Sequence, residues 1–193
     1  EKQETHFGAY EKAMVKDVEQ TIYGAQQDTA LNCARAAKKW GTGIYSNGYI
    51  SKDPSKISMA HYDMNLNFID ALLWHFCYDA DTAFMRKMWP ALKMHLAWEK
   101  RNFDADGDHL YDAYACIWAS DALYYNSGAV THSTAYNYRG NLMAAKIAEK
   151  IGEDPTAYYE EAREIRAAMD KRLWNDKEGH WIEYSDFMGL KRD

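Results

Sequence analysis

In "RNFDADGDHLYDAYACIWASDAL", residues 101–123, carboxylates crowd the first half while aromatic and small residues fill the second. Asp121 sits among Trp118, Ala119 and Leu123, neighbours that would partly desolvate its carboxyl. Desolvation raises a carboxyl pKa toward the range in which it can act as a general acid. A turn or helix N-cap aspartate accounts for the same residue without chemistry. Glu99 and Asp112 are the competing carboxylates on either side of the acidic run. Upstream, "HYDMN" places His61 and Asp63 at the start of a helical pattern, directly after an aromatic stretch that carries Tyr45. Asp63 there either answers the helix dipole or, with His61, hydrogen-bonds the hydroxyls of a ligand. Tyr45 and Trp118 offer the flat apolar faces on which a sugar ring can stack, although large aromatics also fill wide gaps between helices.

The run "DADGDHLYD" sets Asp104, Asp106, Asp108 and Asp112 at positions 1, 3, 5 and 9 of what resembles a calcium loop. Gly107 then falls at position 4 instead of 6, and position 12 is Ala115 instead of a bidentate glutamate. The expectation is therefore an Asp/Gly turn that stops a helix, with no metal and no cofactor. The sequence contains no HExxH, GxSxG, Walker or GxGxxG pattern, so metalloprotease, serine hydrolase and nucleotide readings have no local support.

A chain of 193 residues, 47% apolar and 15% aromatic, suffices for one folded domain with a sizeable core. Seven Trp and fifteen Tyr are more than a core usually requires, which keeps the stacking role open. A net charge of −6 without a basic stripe disfavours nucleic acid and points to a neutral or cationic ligand. Cys33, Cys77 and Cys116 are odd in number and form no CxxC pair, so neither a disulfide framework nor a structural zinc is expected. No apolar run is long enough to span a bilayer, and no membrane partner is expected. The start "EKQETHFGAY" shows no signal-peptide core and reads as mature or excised chain.

Helical periodicity must position these groups, with helices expected at 10–22, 25–40, 57–78, 81–102, 131–152 and 155–174. Asp81 opens the fourth of them, Asp154-Pro155 the last, and Gly41 and Gly152 close two others. Pro90 predicts a kink near Trp89. Strand-like alternation is confined to pieces such as "HWIEY" at 180–184. Short connections pair the helices into antiparallel hairpins, and the long loops 41–56 and 103–130 are thrown to one end. The expected fold is all-α, an αα-hairpin toroid of (α/α)6 type. Three hairpins form half of such a ring, so residues 1–193 are expected to be a single helical domain that is a fragment of a larger barrel.

The stretch "DADTAFMRKMWPALKMHLAWEKRNFDADGDHLYD", with Pro90, Leu92, Trp98, Arg101, Asp104, Asp106, Gly107 and Leu110, resembles six-hairpin glycosidases, especially trehalase and processing α-glucosidase I relatives. "YRGNLMAAKIAEKIGEDPTAYYEEAREIRAAMDKRLWNDKEGHWIEY" continues the likeness, which covers about residues 57 to 184 and extends to glycosidase-like proteins of gut bacteria. His109 stands where those families have a second glycine, and Ala119-Ser120 stands in place of their Ser-Gly-Met. The resemblance implies a glycoside hydrolase acting on a neutral oligo- or polysaccharide. Asp121 takes the place of the acid, and His61, Asp63, Tyr45, Trp118, Asp112 and Glu99 contact the substrate. It also implies a catalytic base supplied by a later hairpin of the same barrel, and a periplasmic or secreted address. Two other classes remain: a helical carbohydrate-binding module without catalysis, and a helical scaffold for protein partners.

Overall fold

The computed structural model describes residues 48–50, 62–113, 115–116, 123–124, 128–186 and 188–192; for 62–64, 115–116 and 123–124 the backbone alone is described. Four helices dominate: α1 (Tyr62–Tyr78), α2 (Thr82–Phe103), α3 (Thr131–Ile151) and α4 (Thr156–Arg172). They fall where the periodicity predicts, within a few residues. The helices expected at 10–22 and 25–40 lie outside the described residues.

Local chemistry explains the boundaries. Asp81 caps α2 by accepting from the N–H groups of Ala83 and Phe84 at 2.8 and 3.3 Å. Gly152 ends α3 in the left-handed conformation, at φ 81°. Asp154 accepts from the Thr156 N–H at 2.9 Å, and Pro155 stands one residue before α4 instead of at its first position. Pro90 is accommodated within α2, whose helical assignment runs unbroken from Thr82 to Phe103.

The chain is mostly helical but not all-α, which corrects the expected class. Three small antiparallel sheets occur: β1 (Ala115–Cys116) with β2 (Leu123–Tyr124), β3 (Gly128–Val130) with β6 (Tyr184–Asp186) and β7 (Lys191–Arg192), and β4 (Trp174–Asn175) with β5 (His180–Trp181). Most of these strands are two residues long, too short for alternation to register in the sequence. The β3–β6 partners are also distant in sequence: Gly128 lies opposite Asp186 and Val130 opposite Tyr184. A closed toroid is not seen among the described residues.

α2 and α3 run antiparallel. The Arg86 side chain donates to the Ile151 carbonyl at 3.3 Å near one end, and Asn137 Nδ2 donates to Glu99 Oε2 at 2.9 Å near the other. Between them the Leu96 side chain lies against Gly140, where an added Cβ would come within 3.0 Å of it. α3 and α4 pack against each other, and Ala144, Ala145, Ala148 and Ala162 on them are buried. Two hydrophobic clusters result. One is built on Leu72, Leu73, Phe76, Phe84, Met88, Leu92, Ile147 and Ile151, between the near ends of α1 and α2 and the far end of α3. The other, with Tyr49, Trp98, Phe103, Leu110, Tyr111, Val130, Ile165 and Leu173, sits under the loops that follow α2 and precede α3.

Candidate functional site

Polar groups are buried at one end of the molecule, and the helix stripes explain why. Along α2 the buried face begins Phe84, Met85, Met88, Trp89, Leu92 and changes to His95, Glu99 and Asn102. Along α3 the stripe begins Ser133, Thr134, Asn137, Asn141 and changes to Ala144, Ile147, Ala148, Ile151. Because the helices are antiparallel, the two polar halves meet, directly beneath the chain between residues 103 and 131.

Glu99 is the centre of this seam. It is fully buried, its Oε2 accepts from Asn137, and its Oε1 makes no hydrogen bond among the described residues. Burial pushes its carboxyl up to about 8, an effect only partly offset by the Asn137 hydrogen bond, so at neutral pH it is a neutral acid able to donate a proton in a hydrogen bond. His95, one turn earlier, is lowered by burial to about 3 and stays a neutral imidazole. Ser133 Oγ and His95 Nδ1 are also buried without a partner among the described residues. A cavity of about 10 Å³ touches His95, Asn137, Asp70 and Tyr136, room for a single water and not for a sugar. A larger groove, about 450 Å³, runs between α3 and α4 past Tyr138, Tyr159 and Arg166, but its one carboxylate, Asp170, is paired to Arg166 at 2.8 Å.

Above the seam the loop is tied down by backbone donors. Asp112 N–H donates to the Phe103 carbonyl at 2.8 Å, Tyr111 N–H to Thr134 Oγ1 at 2.9 Å, and Val130 N–H to the Tyr111 carbonyl at 3.0 Å. Gly128 N–H donates to Asp112 Oδ1 at 2.8 Å. Asp112 is thus buried and holds the two ends of the 113–128 excursion together. Within that excursion β1 and β2 pair antiparallel, Ala115 opposite Tyr124 and Cys116 opposite Leu123, and the pair lies alongside α1. In sequence, Trp118 and Asp121 fall between these strands; both lie outside the described residues, as do Tyr45 and His61. Asp63 belongs to the first turn of α1.

The seam and the pinned loop form a polar end to a helical array, and likeness to a solved protein bears on what kind of array it is. The crystal structure of a GH78-family rhamnosidase of Bacillus sp. GL1 superposes with a TM-score of 0.54 at 19% sequence identity, over 68% of this chain and 14% of that one. The fold is glycoside-hydrolase-like. The chain spans about a seventh of the rhamnosidase's length. No protein-family model matches the chain, and no curated protein does.

In this glycoside-hydrolase-like fold, Glu99 and Asp112 stand where side-chain geometry can be described, one beneath the loop and one within its base. His95, Ser133 and Asn137 were not singled out by sequence. The signal that could have found them is the stripe itself, a run of 133, 137, 141, 144, 148 and 151 whose first half is polar although its spacing is that of a core face. Glu161 was also missed. It lies on α4, receives the Tyr111 hydroxyl at 3.2 Å, pairs with Lys100 and approaches His109. Tyr111 is held well above its ordinary pKa by burial and then by the charges of Glu161, Asp104 and Glu99.

Proposed function

We propose that the chain is part of the catalytic domain of a glycoside hydrolase that cleaves a neutral oligo- or polysaccharide by general acid/base catalysis, within an (α/α)6 barrel of which it forms a portion. The likeness to the rhamnosidase fold is the observation that carries this reading. It is supported by the β1 strand, which precedes Asp121 in the sequence, lying alongside α1, the helix that bears Asp63. In this reading Asp121 gives its proton to the leaving glycosidic oxygen, and His61, Asp63, Tyr45 and Trp118 orient the sugar. Asp112 and Glu99, both buried, support the site from beneath the loop without touching the sugar. Asp112 anchors the loop at Gly128, and burial keeps Glu99 neutral at neutral pH. The base comes from another part of the barrel, as an acid and a base must flank the scissile bond.

The test uses the full-length protein with a panel of aryl glycosides and their natural counterparts. A general acid contributes on the order of 10²–10⁴-fold in rate, so Asp121→Asn is expected to lower turnover on natural glycosides by that factor. Glycosyl fluorides, whose leaving group needs no proton, are spared. Full activity of Asp121→Asn on a natural glycoside, with loss in Asp112→Asn or Glu99→Gln, moves the acid elsewhere. Saturable glycan binding with no bond cleaved by the intact protein replaces the hydrolase with a binding module.

A further inference from the structure

The corner that ends α2 gathers four carboxylates around two cations. Asp104, Asp106 and Asp108 offer ligand oxygens that all lie within 4.8 Å of one another, and Asp104, His109 and Glu161 offer a second such group. Asp104 belongs to both. Lys100 pairs with Glu161 and Arg172 with Asp108.

The loop is also shaped around Asp104. Its N–H donates to the Lys100 carbonyl at 3.1 Å as the last turn of α2 closes, and its own carbonyl accepts from Gly107 at 3.1 Å. Its Oδ1 accepts from the His109 N–H at 3.0 Å. Gly107 and His109 both take positive φ, 72° and 62°, and for His109 that conformation carries a steric cost. Independently of the clustering, the side chain of Asp104 is 3% exposed and its Oδ2 is buried with no hydrogen-bond partner among the described residues. A carboxylate oxygen withdrawn from water in this way needs a compensating partner. A water would satisfy its lone pairs yet leave the neighbouring carboxylates opposed; a cation does both.

We propose that this corner is a binding site for a hard divalent cation of the calcium class, held by carboxylate oxygens of Asp104, Asp106 and Asp108, with Glu161 of α4 beside Asp104. Two features favour such an ion. The donors are oxygens, and the ligands Asp104, Asp106 and Asp108 alternate along a tight turn. The local sequence lacks the twelfth-position glutamate of a helix-loop-helix calcium loop, and the fold brings Glu161 of α4, fifty-odd residues away, to Asp104 and His109. The ion ties the end of α2 to α4 and fixes where the strap carrying Leu110, Tyr111 and Asp112 begins.

The full-length protein, stripped with a chelator, is titrated with terbium(III), whose emission is sensitised by a nearby tyrosine. Tyr111 serves, its hydroxyl lying 3.2 Å from Glu161 Oε1. Saturable emission displaced by calcium is expected, together with a rise in melting temperature when calcium is returned. Asp104→Asn is expected to abolish binding. Because Asp104 is buried and its replacement could unfold the corner, Asp106→Asn at an exposed position and Glu161→Gln provide the second arm, each expected to weaken affinity by about tenfold or more. Calcium affinity weaker than about 1 mM, or unaltered in both Asp106→Asn and Glu161→Gln, overturns the site. Displacement by zinc but not calcium, lost in His109→Ala, overturns the hard-cation assignment in favour of the group containing His109.

Discussion

The two ends of the α2–α3 pair are stabilised in different ways. At one end Leu72, Phe76, Phe84, Met88, Ile147 and Ile151 fill space with apolar volume. At the other, Glu99, Asn137, Ser133 and Thr134 are buried, and the structure is held by individual donors and by backbone running against backbone. The first end tolerates volume-conserving exchange and resists cavities. The second tolerates neither added atoms nor lost partners. A chemically useful surface can be built on the second only because the first supplies the stability.

Gly128 exposes that difference most sharply. It takes φ 115°, and a Cβ there would lie 2.1 Å from the Ser185 carbonyl oxygen and 2.7 Å from the Asp186 carbonyl carbon. Gly128→Ala is expected to destabilise by on the order of 4 kcal/mol, strain and overlap together, and to lower Tm by about 10 °C or more. Differential scanning calorimetry checks it. A loss below about 1 kcal/mol would mean the loop end yields freely and the contrast is false.

At the apolar end the corresponding probe is Leu72→Ala, a fully buried side chain. About 3 kcal/mol is expected, read from chemical denaturation, with the β3–β6 sheet left intact by circular dichroism and hydrogen exchange. Loss of that sheet along with the core would show the two ends to be one cooperative unit.

The smallest effect is a pH dependence. Burial holds the Glu99 carboxyl at about 8 in the folded chain against an ordinary value of 4.5. Between those values the folded state keeps a proton that the unfolded chain has released. The contribution of Glu99 is therefore full below about pH 4.5, falls as pH rises through the window, and levels off above about 8. Glu99→Gln, which cannot ionise, is expected to reduce the loss of stability between about pH 5 and 8 by on the order of 2 kcal/mol. Equal slopes in the two proteins would show that Glu99 ionises normally.

The helices were legible in the sequence because each buries a stripe long enough for its period to register, and because Asp81 and Gly152 mark their ends by local chemistry. The sheets were not. β4 and β5 are two residues each, and β3 meets β6 across almost the whole α3–α4 hairpin, a pairing that no local pattern encodes. The aspartates of 104–112 read correctly as a turn that ends a helix, while the involvement of Glu161 depends on how α4 lies against α2. Glu99 was singled out as a candidate, but its elevated pKa follows from burial, which depends on α3 packing against α2 and bringing Asn137 to it, a tertiary fact.

The β3–β6 pairing has a consequence for the order in which the molecule assembles. It joins segments roughly sixty residues apart, whereas α3 and α4 meet across a four-residue turn; the difference in closure entropy is about 2 kcal/mol if the sheet must form first. Once the α3–α4 hairpin is in place, most of that separation is already folded back and the sheet closes cheaply. Folding is thus expected to be sequential, helices before sheet, and amide protection after a refolding pulse should appear in Ala144–Ile151 before it appears in Gly128–Val130. Protection arriving in the reverse order would rule this out. The segment that bears Asp121 would then be the last to acquire its anchor, so the chain would become competent for chemistry only after its helices had already formed.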